Sequence, residues 1–363
     1  VKASHLDVYR GKRVLVTGHT GFKGAWLVAW LQRLGAQVTG LALAPDPGAL
    51  FLRCELEAGL RHHLGDIRSL EVVRGVVEEA APEVVFHLAA QPLVRRSFQE
   101  PLETLATNVM GTAHLLEALR LAGAPCACVV VTSDKCYHPA GKAHAHLETD
   151  PMGGHDPYSM SKGAAELVIT SWRHSFFERE GRVLVASGRA GNCIGGGDVS
   201  ADRLVVDVLR AFDQGKPVEL RNPAHIRPWQ HVLDPLHGYL ALGSRLLTGT
   251  PSERSSFAEG FNFGPLAEEA ATVRQVVELL IEFNRGGRWV DVSGVPNPPE
   301  NPLLMLDTHK ARARLPWTSV LSLREAVEWT VEWHLASRHE APARALRAVT
   351  EAQLERFTKR VTT

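Results

Sequence analysis

Three groups of residues in this 363-residue sequence have types and spacings suited to chemistry. The first is Ser133-Asp134-Lys135, in "TSDKCY", directly after the apolar run "CACVVV". A hydroxyl, a carboxylate and an ammonium in succession where a buried strand ends suit proton transfer. The bland alternative for the last two is a solvated ion pair at a loop start. The second group is Tyr158 and Lys162 in "YSMSK", four residues apart and so on one face of a helix. An ammonium beside a phenol favours the phenolate, turning a group with a reference pKa of about 10 into a base nearer neutrality. The third is Gly18, Gly21 and Gly24 in "GHTGFKG". Glycines at this spacing permit a tight turn, close backbone approach to a pyrophosphate at a helix N-terminus, and close helix-to-sheet packing. A plain turn or an accidental Tyr/Lys surface pair would explain each alone; together with Ser133, chance explains them poorly.

The elements that must position these groups follow from hydrophobic pattern. The glycine turn joins "KRVLVTG" (12–18), a strand, to "FKGAWLVAWLQRLGA" (22–36), which has helical spacing and closes at Gly35. "QVTGLALAP", "RHHLGD", "EVVFHLAAQ", "CACVVVTS" and "RVLVASGRAGN" supply further strands. Between them run the helices "SLEVVRGVVEEAAP", "TNVMGTAHLLEALRLAG" and "DPYSMSKGAAELVITSWRHSFF", the last with Asp156 and Pro157 as start signals. Continuous apolar strands alternating with helices predict an α/β fold, a doubly wound parallel sheet of Rossmann type over residues 1–190. Beyond residue 191 glycine and proline clusters break the regularity. A smaller mixed α/β substrate lobe is expected over 191–340, with chain crossings between the lobes, and a C-terminal tail over 341–363.

Composition limits the partners. Lys+Arg and Asp+Glu balance at 40 each, so no long-range field attracts a polyanion, and nucleic acid is not expected. The five cysteines are odd in number and lack C-x-x-C spacing, which argues against a disulfide framework and a zinc site and for a reducing compartment. No metal is expected. No apolar leader precedes the first strand and no apolar stretch of about 18 residues occurs, so the expected location is cytoplasmic, with no membrane partner.

With "GHTGFKG", "GDIR" (65–68), "FHLAAQPLVRRS" (86–97), "TNVMGT" (107–112), "TSDKCY", "DPYSMSK" and "RAGNCIGGGD" (189–198), the chain resembles the extended short-chain dehydrogenase/reductase family. "TSDKCY", "PMGGHDPYS" and "IRPWQHVLDPLHGY" (226–239) make it similar, more narrowly, to the family's CDP-glucose 4,6-dehydratase branch. The resemblance runs from about residue 8 to residue 335. It implies that Gly18, Gly21 and Phe22 lie against the dinucleotide pyrophosphate, with Gly24 a packing glycine. Asp66 and Ile67 would meet the adenine, Leu88, Ala89 and Ala90 the cofactor cleft, and Asn108 would support that wall. Thr132, Tyr158 and Lys162 would also belong to the cofactor site. The acid that usually ends the family's second strand is replaced by Ala44, with Asp46 nearby, and no arginine follows to hold a 2′-phosphate; NAD is therefore favoured over NADP.

The same resemblance implies a lyase that converts CDP-glucose to CDP-4-keto-6-deoxyglucose and water. Tyr158, Lys162 and Ser133 would serve oxidation at C4. Asp134, protonated, would be the acid on the 6-hydroxyl, and Lys135, neutral, the base at C5, where related dehydratases carry Glu. Gln91, Asn192, Arg203 and Arg227 are the expected contacts to the nucleotide sugar, arginine forks matching phosphate oxygens. Trp229 is expected to pack, and His231 is a weaker site candidate among 17 histidines. A homodimer through the two long helices, packed as a four-helix bundle, is also implied. Another nucleotide-sugar dehydratase or an epimerase of this fold, or a cofactor-binding scaffold without activity, is the alternative.

Overall fold

The computed structural model describes residues 4–139, 144–266, 269–293, 304–338 and 341–362. Its strands are β1 (Arg13–Thr17), β2 (Gln37–Ala42), β3 (Leu60–Leu64), β4 (Val84–His87), β5 (Cys126–Val131), β6 (Val183–Ala190) and β7 (Gly260–Phe263). They form one seven-stranded parallel sheet in the order β3-β2-β1-β4-β5-β6-β7. Every residue of β4, β5 and β6 is buried. That is why they read as unbroken apolar runs: helices cover both faces, so neither face selects polar residues. The strand order reverses between β1 and β4, and the crevice over their C-terminal ends is where sheets of this kind hold ligands.

The helices of the first half are α1 (Phe22–Arg33), α2 (Leu70–Ala80), α3 (Gly111–Ala122) and α4 (Pro157–Trp172). Ser69 caps α2 by accepting from the Val72 N–H, and Asp156 caps α4 by accepting from the Ser159 N–H, with Pro157 in the first turn. One core packs α1 on its face of the sheet; a second packs α2, α3 and α4 on the other. Among the described residues, no helix is long and apolar enough to cross a membrane.

In the second half, α5 (Leu204–Asp213), α7 (Val273–Asn284) and α8 (Leu323–Ser337) enclose a separate small core with Trp229 in it, so this tryptophan packs as expected. α6 (Leu233–Leu247) does not belong there. It lies against the sheet, with Leu236, Leu240 and Leu242 fully buried, and its Leu240 carbonyl accepts the Tyr9 hydroxyl at 2.6 Å. β7 then pairs with β6, Gly260 opposite Ser187 and Phe263 opposite Ala190. α6 and β7 thus carry the second half of the chain back onto the first sheet. Over the expected tail, residues 343–362 form α9 (Ala343–Thr362), whose Leu346, Leu354 and Phe357 are sealed into the main core, Phe357 edge-on to Trp30 at 5.5 Å.

Candidate active site

The turn between β1 and α1 shows what each glycine does. Gly18 has φ +74°, and a Cβ there would lie 2.6 Å from the Ala89 nitrogen, so only glycine lets the turn pass the end of β4. At Gly24 a Cβ would stand 2.1 Å from the Gly18 carbonyl oxygen, which makes it the packing glycine. Gly21 caps α1, and a Cβ there would touch only the Gly18 carbonyl oxygen, at 3.4 Å. Free N–H groups at the start of α1 and an open glycine beside them suit a pyrophosphate, so these residues fit a dinucleotide. Leu88, Ala89 and Ala90 line the adjoining crevice, each only partly buried. Asn108, in a π-turn (Ala106–Met110) before α3, accepts from the Gln91 N–H at 2.8 Å and donates to the Gln91 carbonyl and the Ser161 hydroxyl, at 3.0 and 2.8 Å. It pins the Gln91 backbone to α4.

At the end of β5 the chain turns sharply. Ser133 is extended and caps a single 3-10 turn, Asp134–Cys136, by accepting from the Lys135 N–H. This turn swings Asp134 inward and leaves Lys135 half-buried. Asp134 is 2% exposed; its Oδ1 accepts from the Ser133 hydroxyl at 3.0 Å and its Oδ2 has no partner. A side chain at position 191 would collide with that oxygen, the Cβ coming within 2.6 Å, so Gly191 makes room for the acid. No ion pair joins Asp134 to Lys135 among the described residues, which removes the bland reading of the two as a surface pair.

Tyr158 and Lys162, buried on α4, face this turn. Burial pushes the Tyr158 phenol above its ordinary pKa, and Ser133, then Arg203 and Lys23, pull it back. Lys162 is lowered to about 8, by burial first and by the charge of Lys23 second. The structure thus gathers Ser133, Asp134 and Arg203 around Tyr158, with Lys162 one turn further along α4. Arg203 stands just ahead of α5, with its Nε buried and without a partner.

The other expected residues have the following contacts within the chain. The Gln91 side chain donates to the Leu93 carbonyl and the Thr104 hydroxyl and accepts from the Leu93 N–H, so it anchors its loop with both amide donors used. Thr132 donates its hydroxyl to Glu166 at 2.5 Å. Asp66 accepts from Arg68, while the Ile67 side chain packs over Gly111. Ala44 lies exposed beyond the end of β2. The Asn192 carbonyl accepts from the Gln230 N–H, and Arg227 sits on a two-residue strand (Ile226–Arg227) of the second lobe, donating to its neighbour's carbonyl. His231 is a core histidine: fully buried between Trp26 and Trp329, it has its pKa lowered to about 3 by burial. Among the described residues one metal-type cluster occurs, His144, His146 and Asp150, in which the carboxylate lies 2.6 and 3.0 Å from the two imidazole nitrogens. Hydrogen bonding alone accounts for it.

Sequence reasoning missed the support behind the catalytic residues. Glu166, one turn beyond Lys162, and Arg189 on β6 form a buried ion pair at 2.8 Å. Each Glu166 oxygen accepts two hydrogen bonds: Oε1 from Thr132 and Arg189 Nε, Oε2 from Ser187 and Arg189 Nη2. Arg189 also donates to the Tyr137 hydroxyl, which in turn donates to Asn262 on β7. Burial works against a charged Glu166, but Arg189 and the hydroxyls prevail and hold its carboxyl below the ordinary range. That stabilisation is present above the unfolded carboxyl's pKa and is lost as pH falls through the lower folded value. Removing one partner strands the other charge in the interior, at a cost of about 3–5 kcal/mol. Glu166→Gln should therefore lower the unfolding free energy by about that amount in urea titration near neutral pH; a loss under about 1 kcal/mol would show that the pair supports nothing.

Comparison with known proteins agrees with this geometry. A family model described as GDP-mannose 4,6 dehydratase matches residues 15–330. The CDP-glucose 4,6-dehydratase of Salmonella typhimurium is 48% identical over 337 residues, covering 91% of this chain and 92% of that one. Among solved structures, MoeE5 in complex with UDP-glucuronic acid and NAD superposes with a TM-score of 0.75 at 28% identity, covering 89% of this chain and 99% of that one. The epimerase Mth375 of Methanothermobacter thermautotrophicus gives 0.76 at 25% identity, covering 91% and 94%. A match that begins in β1 and ends in α8, on a chain that folds as these relatives do, places this protein in the GDP-mannose 4,6 dehydratase family.

Proposed function

We propose that this protein is an NAD-dependent 4,6-dehydratase of CDP-glucose, forming CDP-4-keto-6-deoxyglucose and water. The observation that carries the reading is Asp134: an inward-turned carboxyl with one partnerless oxygen, hydrogen-bonded to Ser133 and close enough to act on Tyr158. Oxidation at C4 needs only a base and a hydrogen-bond donor for the forming ketone. An additional acid with an unused oxygen is what loss of the 6-hydroxyl requires. CDP-glucose as substrate, and NAD as cofactor, rest on the relatives reported above.

A nicotinamide held at the glycine turn would supply the hydride acceptor for C4 and the hydride donor for C6. The protein's residues move the protons. Tyr158 as phenolate accepts the proton of the 4-hydroxyl, and Ser133 hydrogen-bonds the oxygen that becomes the ketone. Because the Ser133 hydroxyl has one proton, now given to Asp134, substrate must draw that bond away. The new ketone acidifies C5. Lys135 as free amine takes the C5 proton while Asp134 gives a proton to the 6-hydroxyl, which leaves as water. After C6 is reduced, the ammonium of Lys135, whose protons exchange with solvent, gives one of them to C5. C4 is oxidised and C6 reduced, so no external oxidant is consumed.

We also infer a homodimer. Leu102 and Met110 before α3, Leu121 on it, and Met160, Leu167 and Phe176 on or just beyond α4 are large apolar side chains left exposed, Leu102 by 79% and Leu167 by 62%. A second copy covering the same two helices would bury them as a four-helix bundle. A cytoplasmic setting fits the five cysteines, all free and buried, and cell fractionation checks it.

Two measurements test these readings. Lys135→Ala should lower the yield of 4-ketosugar from CDP-glucose by at least about 100-fold, the scale of a lost general base, while cofactor content is kept; unimpaired turnover would remove Lys135 from the elimination. Leu167→Glu should convert a dimer to a monomer in light scattering, and a parent protein already monomeric would refute the bundle.

A further inference from the structure

β1 and β4, the two strands between which the sheet order reverses, end in Thr17 and His87, which face each other in register. Both are buried, and the residues that follow them, Gly18 and Leu88, begin the glycine turn and the crevice wall. His87 Nδ1 lies 2.6 Å from the Thr17 hydroxyl, and its Nε2 lies 3.2 Å from the hydroxyl of Thr112 on α3. The protons available fix which group gives and which receives. The Thr112 hydroxyl donates its single proton to the Asn108 carbonyl, at 2.7 Å, so toward His87 it can only accept. The ring hydrogen therefore sits on Nε2. Burial first, and the charge of Lys162 second, lower the His87 pKa to about 3, so the ring carries no second hydrogen near neutral pH. Nδ1 then accepts from the Thr17 hydroxyl, whose oxygen accepts the Ala89 N–H at 3.3 Å.

The result is a line of hydrogen bonds with one direction: Ala89 N–H to Thr17, Thr17 to His87, His87 to Thr112, and Thr112 to the Asn108 carbonyl. It starts at the cofactor crevice. It ends at the residue whose side chain donates to Ser161, just before Lys162 on α4. Ser161 in turn donates to the Tyr158 carbonyl at 2.7 Å, while Ser97, on the chain that follows β4, accepts the Tyr158 N–H at 3.1 Å. Glu166 and Arg189 tie α4 to β6 and the end of β5. This second line shares no residue with that pair and its partners, and it ties α4 to β1 and β4. Such a chain has no slack, because turning over one member breaks the bonds on both sides of it.

We propose that His87 is a positioning residue for the oxidation at C4: as the imidazole protonated on Nε2, it fixes the distance from the cofactor crevice to Tyr158. This deepens the dehydratase reading and rests on it. Oxidation takes two things from one carbon–oxygen unit, a hydride from C4 toward the crevice and a proton from its hydroxyl toward Tyr158. Neither acceptor can be displaced without loss, since a shift of about 1 Å can cost about 100-fold in rate. His87 acts through Ala89 on one side and through Thr112, Asn108 and Ser161 on the other.

Two measurements test this. In the holoenzyme without substrate, with isotope-labelled histidine nitrogens, nuclear magnetic resonance should show the His87 ring protonated on Nε2 and bare on Nδ1, unchanged from about pH 8 to about pH 5. His87→Gln, whose amide still reaches toward Thr112, identifies those signals by difference. In the second, Thr17→Val and Thr112→Val each remove one hydroxyl at nearly constant shape. Each should lower kcat for 4-ketosugar formation by about tenfold or more per cofactor-loaded enzyme, with the KM for CDP-glucose held within about twofold. The kinetic isotope effect of deuterium at C4 should grow as hydride removal becomes limiting. Thr17→Ser and Thr112→Ser, which keep the hydroxyl, should restore both quantities. A histidine that only fills the core would let the valine variants lose thermal stability while kcat and the isotope effect stay as they were, and that result overturns the proposal. So does a ring protonated on Nδ1, or one that gains its second hydrogen near about pH 6.5. The ring reading needs no change at either threonine, so it decides even where a valine variant does not fold. Absence of 4-ketosugar from the parent enzyme overturns the dehydratase reading instead, and the ring is read independently of it.

Discussion

The buried pair of Glu166 and Arg189 is the constraint on which the rest of the structure depends. It ties α4 to β6, and through Thr132, Tyr137 and Asn262 it ties the end of β5 and the edge strand β7 to the same point. Two charges survive in the interior because every lone pair of Glu166 that the geometry offers is met by a donor. The consequence is positional. Tyr158 and Lys162 stand on the helix that this pair fixes, and Ser133, Asp134 and Lys135 follow the strand that it fixes. Small errors in relative position cost orders of magnitude in a proton transfer, so rigidity here is a catalytic property.

In front of that rigid backing the charges are left incomplete. Asp134 Oδ2, Arg203 Nε and the Tyr239 hydroxyl are buried without partners, and Lys23 and Lys135 form no ion pairs among the described residues. Unmet polar groups in an interior cost stability, and native proteins keep few of them. For these residues that cost would be offset by what a diphosphate sugar and a dinucleotide supply on binding. The contrast between a saturated network behind and an unsaturated one in front separates the groups that hold from the groups that react.

Much of this was legible in the sequence. Six strands and their helices followed from alternation, because strands buried on both faces cannot hide their composition. Ser133, Asp134, Tyr158 and Lys162 were legible because each sits at a strand end or on one helix face, where local spacing fixes position. What escaped depends on distant partners. β7 is the four residues "GFNF" in an irregular region, and only its pairing with Ser187–Ala190 makes it part of the sheet. The contacts of Gln91 with Leu93 and Thr104 were likewise invisible in the sequence. His231 stood in a suggestive motif, but the tryptophans that enclose it lie some two hundred residues before it, at Trp26, and about a hundred after it, at Trp329. α9 carried a readable signal, Leu346, Thr350, Leu354 and Phe357 on one face, that the end of the family resemblance obscured.

The central claim is that one site oxidises C4, eliminates water across C5 and C6, and reduces C6 with the hydride taken from C4. CDP-glucose carrying deuterium at C4 tests this directly by mass and nuclear magnetic resonance analysis of the product. The account predicts a 4-keto-6-deoxy sugar with that deuterium at C6, and C5 hydrogen drawn from solvent. Deuterium lost to solvent, or a 4-keto sugar that still bears its 6-hydroxyl, would contradict it.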